Sequence, residues 1–584
     1  MPEVKVSDYI ADFLAVQGVT QVYELIGGMI VHLVDSIHQG GEIELVSVRH
    51  EQAAAFAADA SGRCTGVPGV AMGTSGPGAT NLLTGIGSCY LDSSPAVFVT
   101  GQVNRHEQKG ERAIRQLGFQ ETDIVAMAAP ITKAAVRVGS PEEVPAVLAA
   151  AFELALEGRP GPVLVDIPMD VQGSRIDAPG PERVALPAPT APDEAAIDAL
   201  FEELAAARRP LVLVGAGARA SGAIDAFRTL VDRLGVPVVN SLLAVDALPY
   251  EHPLRVGLIG SYGNRWANMA LGRSDFLLVL GSRLDIRQTG SEVDAFKGDR
   301  VIHHVDVDPA EINNRVMGCR EIVCDLRAFL PAAIERAASG RLPDFSHWVG
   351  ELADLRAEWP DTAELRDIEG VNPNVLMHEL AAASASAAAY AVDVGQHQQW
   401  AAQSLELEPG QRFLTSGGMG AMGFGLPAAV GATRALEAPV VMIAGDGSFQ
   451  LNIQELETVA GRRLPVKMVV IDNGCHGMVR QFQQSYFDER YQSTLWGYSA
   501  PDFVRVAEAY GIRSRCVEAP DEVGDGLAAL WADPWEPFLL QVMVDTMANA
   551  YPKLAFGRPM TEMEPLAAPV AMKGAATPVA MEGT

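Results

Sequence analysis

G-D-G-S-F at residues 445–449 and D-N-G-C-H-G-M at residues 472–478 carry more information than any other part of the chain. The run P-V-V-M-I at 439–443 leads into the glycine-flanked Asp446, and V-K-M-V-V-I at 466–471 leads to Asn473, with a helical pattern over 452–463 between them. Short β-branched runs joined through a helix predict neighbouring parallel strands. Asp446 and Asn473 then emerge at the carboxyl ends of two strands, where open α/β sheets bind ligands. One carboxylate and one amide oxygen suit a magnesium ion, which takes near-octahedral oxygen ligands and usually shares them with phosphate. Gly445 and Gly447 let backbone approach a diphosphate closely. Asp-Gly and Asn-Gly are also common turn dipeptides, so two unrelated strand-end turns stay open as an alternative at this point.

Outward from this stretch the same alternation of strand and Ala/Leu-rich helix recurs through 584 residues, which predicts parallel sheets covered by helices. Pro/Ala-rich stretches at 177–193 and, less cleanly, 340–372 divide the chain. The expected domains are 1–180, 190–345 and 370–550, each a doubly wound α/β unit, with a surface tail over 560–584. The first and third share a design: a strand, a Gly-rich turn and an Ala-rich helix. The net charge of −29 opposes binding to nucleic acid or an anionic membrane, since both would be repelled. Six scattered cysteines without a C-x-x-C pair suit a reducing compartment and offer no zinc spacing. No basic-then-apolar leader opens the chain, and no run approaches the roughly 18 apolar residues of a membrane span. The expectation is a cytoplasmic protein.

In the first segment, S-V-R-H-E-Q-A-A-A-F-A-A-D-A-S-G at 47–62 places Glu51 in the first turn of a helix, where the helix dipole favours a carboxylate. G-T-S-G-P-G-A-T-N at 73–81, with Gly76 and Asn81, is a close-approach loop opening another helix. Pro210–Arg219 (P-L-V-L-V-G-A-G-A-R) ends a strand in G-x-G at Gly215 and Gly217, which is weak evidence for a dinucleotide because the full G-x-G-x-x-G is absent.

Taken together, G-D-G-S-F…D-N-G, R-H-E-Q-A-A-A-F-A-A-D-A, T-S-G-P-G-A-T-N, F-Q-E-T-D-I, V-G-Q-H-Q-Q-W-A-A-Q and S-G-G-M-G-A-M-G-F-G-L-P resemble the thiamine-diphosphate enzymes, and among them the acetolactate synthase branch. The resemblance runs from about Val6 to Asp545. It implies a pyrimidine-binding domain, a central domain and a diphosphate-binding domain, in that order. It also implies a carboligase that decarboxylates a 2-keto acid such as pyruvate and passes the two-carbon unit to a carbonyl acceptor. By resemblance, Glu51 hydrogen-bonds the pyrimidine ring nitrogen, and Met422 is an apolar wedge that bends the cofactor, with Gly420 beside it. Asp446, Asn473 and the Cys475 carbonyl hold Mg²⁺. Gly395, Gln396, His397, Gly445, Gly447, Ser448, His476, Gly477 and Met478 surround the diphosphate. Phe119, Gln120 and Gly28 line the reacting centre, Gln120 as a neutral donor to a developing alkoxide. G-S-R-L-D-I-R-Q-T-G at 281–290 and H-V-D-V-D-P-A-E-I at 304–312 resemble FAD-binding segments, implying a non-redox FAD held by Arg283, Arg287 and Asp306. The family's site lies between two chains, so a homodimer or homotetramer is implied.

Four departures bear on the substrate. Met29 follows G-G where the family commonly has Ala; Met169 replaces a Lys; Phe482 replaces a Trp associated with 2-ketobutyrate as acceptor. Residues 104–118 form a longer loop with four Arg or Lys. In the central domain, Tyr262 stands where the family often has His. A specialised carboligase with another acceptor, such as a keto-sugar, a simple decarboxylase and a pyruvate oxidase therefore stand beside acetolactate synthesis.

Overall fold

The structure, a computed structural model, describes residues 3–186, 188–340 and 342–570. Its frame is three six-stranded parallel sheets. The first holds β1 (Gln21–Leu25), β2 (Glu44–Ser47), β3 (Gly69–Gly73), β4 (Ala96–Gln102), β5 (Ala134–Arg137) and β6 (Pro162–Pro168), in the order β2-β1-β3-β4-β6-β5. The central sheet holds β7 (Pro210–Val214), β8 (Val238–Asn240), β9 (Arg255–Leu258), β10 (Phe276–Leu280), β11 (Val301–Asp306) and β12 (Arg320–Val323), in the order β9-β8-β7-β10-β11-β12. The third holds β13 (Ala389–Val392), β14 (Arg412–Leu414), β15 (Val440–Gly445), β16 (Val466–Asp472), β17 (Arg513–Val517) and β18 (Phe538–Met543), in the order β14-β13-β15-β16-β18-β17. The first and third sheets thus share one topology, as their common sequence design suggested.

These strands are apolar along their length because helices cover both faces. In β3 and β4, Val70, Met72, Val97 and Val99 belong to one core while Ala71, Ala96 and Phe98 belong to another. The second of these cores is shared with the third sheet through α1 (Glu51–Thr65) and α4 (Gly425–Leu436). The Ala-rich face of α1 lets the two helices touch backbone to backbone: a Cβ on Gly431 would lie 2.2 Å from the Ala57 carbonyl oxygen. Phe56 packs edge-on against Phe424, with ring centroids 5.4 Å apart.

Each sheet reverses its strand order near its middle, and such reversals open a crevice at the carboxyl ends. In the third sheet the crevice lies between β13 and β15, where α3 (Gln396–Ser404) begins, with α5 (Gly477–Tyr486) starting just beyond β16. In the first it lies between β1 and β3, with α2 (Leu83–Asp92) beyond it. Three local expectations need correction. The joining helix is broken into a 3₁₀ helix, Gln450–Glu455, and a short α-helix, Leu456–Gly461. The stretch 340–372 contains a helix, Ser346–Glu358, whose buried Trp348 donates to the Pro210 carbonyl oxygen at 3.0 Å, so it caps the central core. Residue 560 does not begin a tail: Met560 and Met563 are buried, and Met563–Glu564 pairs with Lys553–Leu554. Residues 571–584 lie outside the described residues.

Candidate active site

β15 ends at Gly445 and hands Asp446 directly to the start of a short helix, while β16 ends at Asp472 and hands Asn473 to the turn before α5. Both side chains are buried and line one cavity of about 640 Å³. The Tyr498 hydroxyl donates to Asp446 Oδ2 at 2.7 Å, and Asn473 Nδ2 donates to Gln396 Oε1 at 3.1 Å. That second bond turns the Asn473 amide oxygen away from Gln396, toward its own turn, where it accepts from the Cys475 N–H at 3.3 Å. Burial pushes the Asp446 carboxyl up to about 7. The Cys475 thiol is buried and pushed up to about 11 chiefly by desolvation, so its sulfur is not poised to react.

Around this pair the backbone forms a cradle that side chains would fill. A Cβ on Gly477 would lie 1.9 Å from Gln396 Oε1, and one on Gly447 would lie 2.6 Å from His476 Nδ1. His397 packs against Gly445, is held far below the usual imidazole range at about 3 by burial, and so stays neutral. Its Nε2 is buried with no partner among the described residues. Gly395, Gln396, Gly420, Met422, Ser448, His476, Gly477 and Met478 line the same cavity. Among the described residues, neither Lys nor Arg lines this end of it. An anion here would be met by the N-termini of α3 and α5 and by a metal shared between Asp446, Asn473 and the Cys475 carbonyl. Among the described residues no three His, Cys, Asp or Glu side chains gather to hold a metal by themselves.

The cavity continues into the central domain, where Gly217, Arg283, Arg287 and Asp306 line it together with Arg159 from the first domain. Arg283 pairs with Asp285 at 3.3 Å, and burial raises the Asp306 carboxyl to about 6. Gly215 departs from expectation. It does not line the cavity; its missing Cβ makes room for the Gly281 carbonyl oxygen, 2.1 Å from where the Cβ would sit.

The first domain builds a separate cluster. Glu51 opens α1, is buried, and accepts from Asn81 Nδ2 at 2.9 Å. Gly76, at φ +63°, lies against Gln120, which itself holds a positive φ of 65°. A non-glycine residue in that region is strained backbone, and such strain gathers at functional sites. Phe119 is 79% exposed and Gly28 is exposed. None of Glu51, Gly28, Gly76, Asn81, Phe119 or Gln120 lines the cavity that holds Asp446.

Three family descriptions match in order: "Thiamine pyrophosphate enzyme, N-terminal TPP binding domain" over residues 4–127, its central domain over 197–333, and its C-terminal TPP binding domain over 393–542. The acetolactate synthase isozyme 2 large subunit of Escherichia coli is 37% identical, covering 95% of this chain and 98% of that one. The acetolactate synthase large subunits of Corynebacterium glutamicum (37%, covering 93% and 87%) and Lactococcus lactis (35%, covering 94% and 93%) are similar over nearly the same span. This chain belongs to the thiamine pyrophosphate enzymes. Within that family it is a thiamine-diphosphate-dependent carboligase of the acetolactate synthase kind.

For such an enzyme the structure adds residues the sequence reading passed over. Tyr498 steers Asp446, and its signal, a lone Tyr in L-W-G-Y-S, is too weak to find without the fold. Asp393 is buried at the end of β13, accepts N–H bonds from Gly423 and Gly425 at 2.9 and 2.8 Å, and so shapes the turn after Met422. Asp92 reaches the same cavity from the first domain.

Proposed function

We propose that this enzyme decarboxylates a 2-keto acid, pyruvate first among them, and joins the remaining two-carbon unit to a second carbonyl compound. The observation that carries this reading is Asp446 and Asn473 at adjacent strand ends, within a glycine cradle and beside Met422 in one cavity. Bound there, thiamine diphosphate would supply a nucleophilic carbon for the keto group and take up the electron pair left by the departing carboxylate. The chain's own residues do the rest. Asp446, Asn473 and the Cys475 carbonyl hold Mg²⁺ against the diphosphate, and His397 Nε2 and the first turns of α3 and α5 meet its oxygens. Met422, partly exposed in the cavity, presents an unbranched apolar surface to the cofactor. Glu51, fixed through one oxygen by Asn81, holds or moves a proton at the pyrimidine nitrogen. Gln120 donates to the developing alkoxide, and Phe119 excludes water.

Because Glu51 and Asp446 belong to different clusters in one chain, the active unit is a homodimer or a multiple of it, Glu51 from one copy facing Asp446 of the other. The exposed apolar residues on the two sides, Ile26 and Phe119 on one and Leu451, Val479 and Phe482 on the other, support that pairing. We assign FAD, without a redox role, to the central end of the cavity on the strength of Arg283, Arg287 and Asp306. We place the protein in the cytoplasm on the strength of six unpaired cysteines and no described helix long and apolar enough to cross a membrane.

A second reading concerns the acceptor. Arg105 is engaged by Asp170 at 2.8 Å, but Arg112 and Arg115 are exposed with no carboxylate at ion-pair distance among the described residues. Close in sequence to Phe119, they suit an anionic acceptor. Mass spectrometry of products tests both readings: acetolactate from pyruvate alone supports the first. Turnover only when a phosphorylated or nucleotide-linked keto compound is added supports the second, and acetaldehyde alone refutes carboligation. Purified protein that is colourless and fully active removes FAD.

A further inference from the structure

We propose that Asp92 is a positioning residue for the cofactor: it clamps the glycine-rich loop 416–422 that carries Met422 into the cavity. This rests on the thiamine diphosphate reading of that cavity. Asp92 ends α2 in the first domain and is buried. Its two oxygens accept the consecutive backbone N–H groups of Gly417 and Gly418 at 2.9 and 2.6 Å. Arg63, at the end of α1, binds Asp92 at 3.1 Å, Asp59 at 2.5 and 3.0 Å, and the Thr415 carbonyl oxygen at 2.8 Å. Two carboxylates therefore share one guanidinium, and the two glycine N–H groups supply the donors that Asp92 would otherwise lack. A buried charge needs this pairing.

The loop holds itself only weakly. Three of its seven residues are glycine, Gly420 sits at φ +64°, and a side chain at 418 would meet Leu91 Cβ at 2.8 Å. Glycine loses the most freedom on ordering, so an outside anchor has to offset that cost. Beyond Asp92 the loop closes through Ser416, whose hydroxyl accepts from the Ala421 N–H at 3.2 Å and meets the Ser88 hydroxyl at 3.1 Å. Domain docking does not depend on these bonds, because α1 and α4 already pack together in the shared core. What the bonds fix is the path of the backbone from Thr415 to Met422.

The test compares Asp92→Asn with Asp59→Asn. Asparagine at 92 turns one acceptor into a donor facing a glycine N–H. At 59 it weakens the Arg63 pairing while leaving every contact to residues 416–422. In the protein without cofactor, amide hydrogen exchange at 416–422 is expected to quicken at least ~tenfold in Asp92→Asn and to stay within ~threefold of wild type in Asp59→Asn. The dissociation constant for thiamine diphosphate at saturating Mg²⁺ should rise at least ~tenfold in the first alone. Unchanged loop exchange in Asp92→Asn, or equal effects of the two variants, overturns the proposal. If Asp92→Asn does not fold, Asp92→Glu takes its place, because the longer side chain cannot meet the Gly417 and Gly418 N–H groups in the same geometry, and unchanged exchange at 416–422 overturns the clamp. Wild-type protein that binds no thiamine diphosphate overturns the cofactor role, whereas the exchange arm judges the clamp without it.

Discussion

Gly477→Ala is a small substitution with a large expected effect, because the site leaves no room for one methyl group. The new Cβ would lie 1.9 Å from Gln396 Oε1 and 2.7 Å from Asn473 Nδ2, well inside van der Waals contact. Gln396 cannot swing aside freely: it is buried, and its Nε2 donates to Gln481 Oε1 at 3.2 Å and the Ala548 carbonyl oxygen at 2.9 Å. Relief therefore breaks the Asn473–Gln396 bond and at least one of the Gln396 bonds. Each buried group left unpaired costs about 1–3 kcal/mol, so the combined cost is about 2–6 kcal/mol, divided between fold stability and the orientation of Asn473. A share of about 1.4 kcal/mol at the metal site is a tenfold loss of affinity. Magnesium titrations with thiamine diphosphate present, followed by intrinsic fluorescence, should show a dissociation constant raised by tenfold or more, together with a lower melting temperature. Gly461→Ala, where the Cβ meets nothing nearer than Glu457 Oε1 at 3.8 Å, is the control. A Gly477→Ala protein with metal affinity within twofold of wild type would refute the argument that Gln396 orients Asn473.

Glu51→Gln and Asp446→Asn should each abolish turnover with the circular dichroism spectrum unchanged; random mixing into dimers should then restore about a quarter of wild-type activity, since a mixed dimer has one intact site of two. No recovery after verified subunit exchange would count against the shared site. His378 is half-buried, which disfavours its charge, but Asp361 at 2.9 Å and Glu406 at 2.6 Å more than compensate and raise its pKa. Its ion pairs are complete below the unfolded histidine pKa of about 6.5 and are lost as pH rises through the higher folded value. The melting temperature of wild type should therefore fall more steeply than that of His378→Gln as pH rises above about 6.5, and parallel profiles would contradict this. Gly431→Ala should force α1 and α4 apart, lowering stability by about 1–3 kcal/mol in urea unfolding, because the obstacle is the Ala57 backbone and not a movable side chain.

Much of the proposed metal and diphosphate site was legible because its parts sit at strand ends that follow apolar runs. Asp446, Asn473 and the glycines near them are separated by one crossover, and parallel pairing in a sheet fixes where such residues emerge. His397 was legible as a position but not in its state; neutrality follows from burial, which one line of sequence does not measure. The meaning of A-A-A-F-A-A-D-A in α1 was missed. It reads as a good helix, yet the run of small residues is what lets Gly431 of α4 meet Ala57 at backbone distance. Gly215 was misassigned for the same reason: a glycine that admits another segment of the protein looks, in sequence, like one that admits a ligand.

The sequence by itself determined the sheets and their parallel sense, because local hydrophobic period decides them, and it pointed to the cofactor through motifs whose joint occurrence resembles one family. The tertiary structure alone decided which distant groups meet. It put Asp92 and Arg63 of the first domain on a glycine loop more than three hundred residues away. It joined the central arginines to the Asp446 cavity, and it kept Glu51 out of that cavity within one chain. Those outcomes depend on how separately legible sheets pack, the first and third through α1 and α4, and close packing of side chains and backbone has no period that a sequence displays.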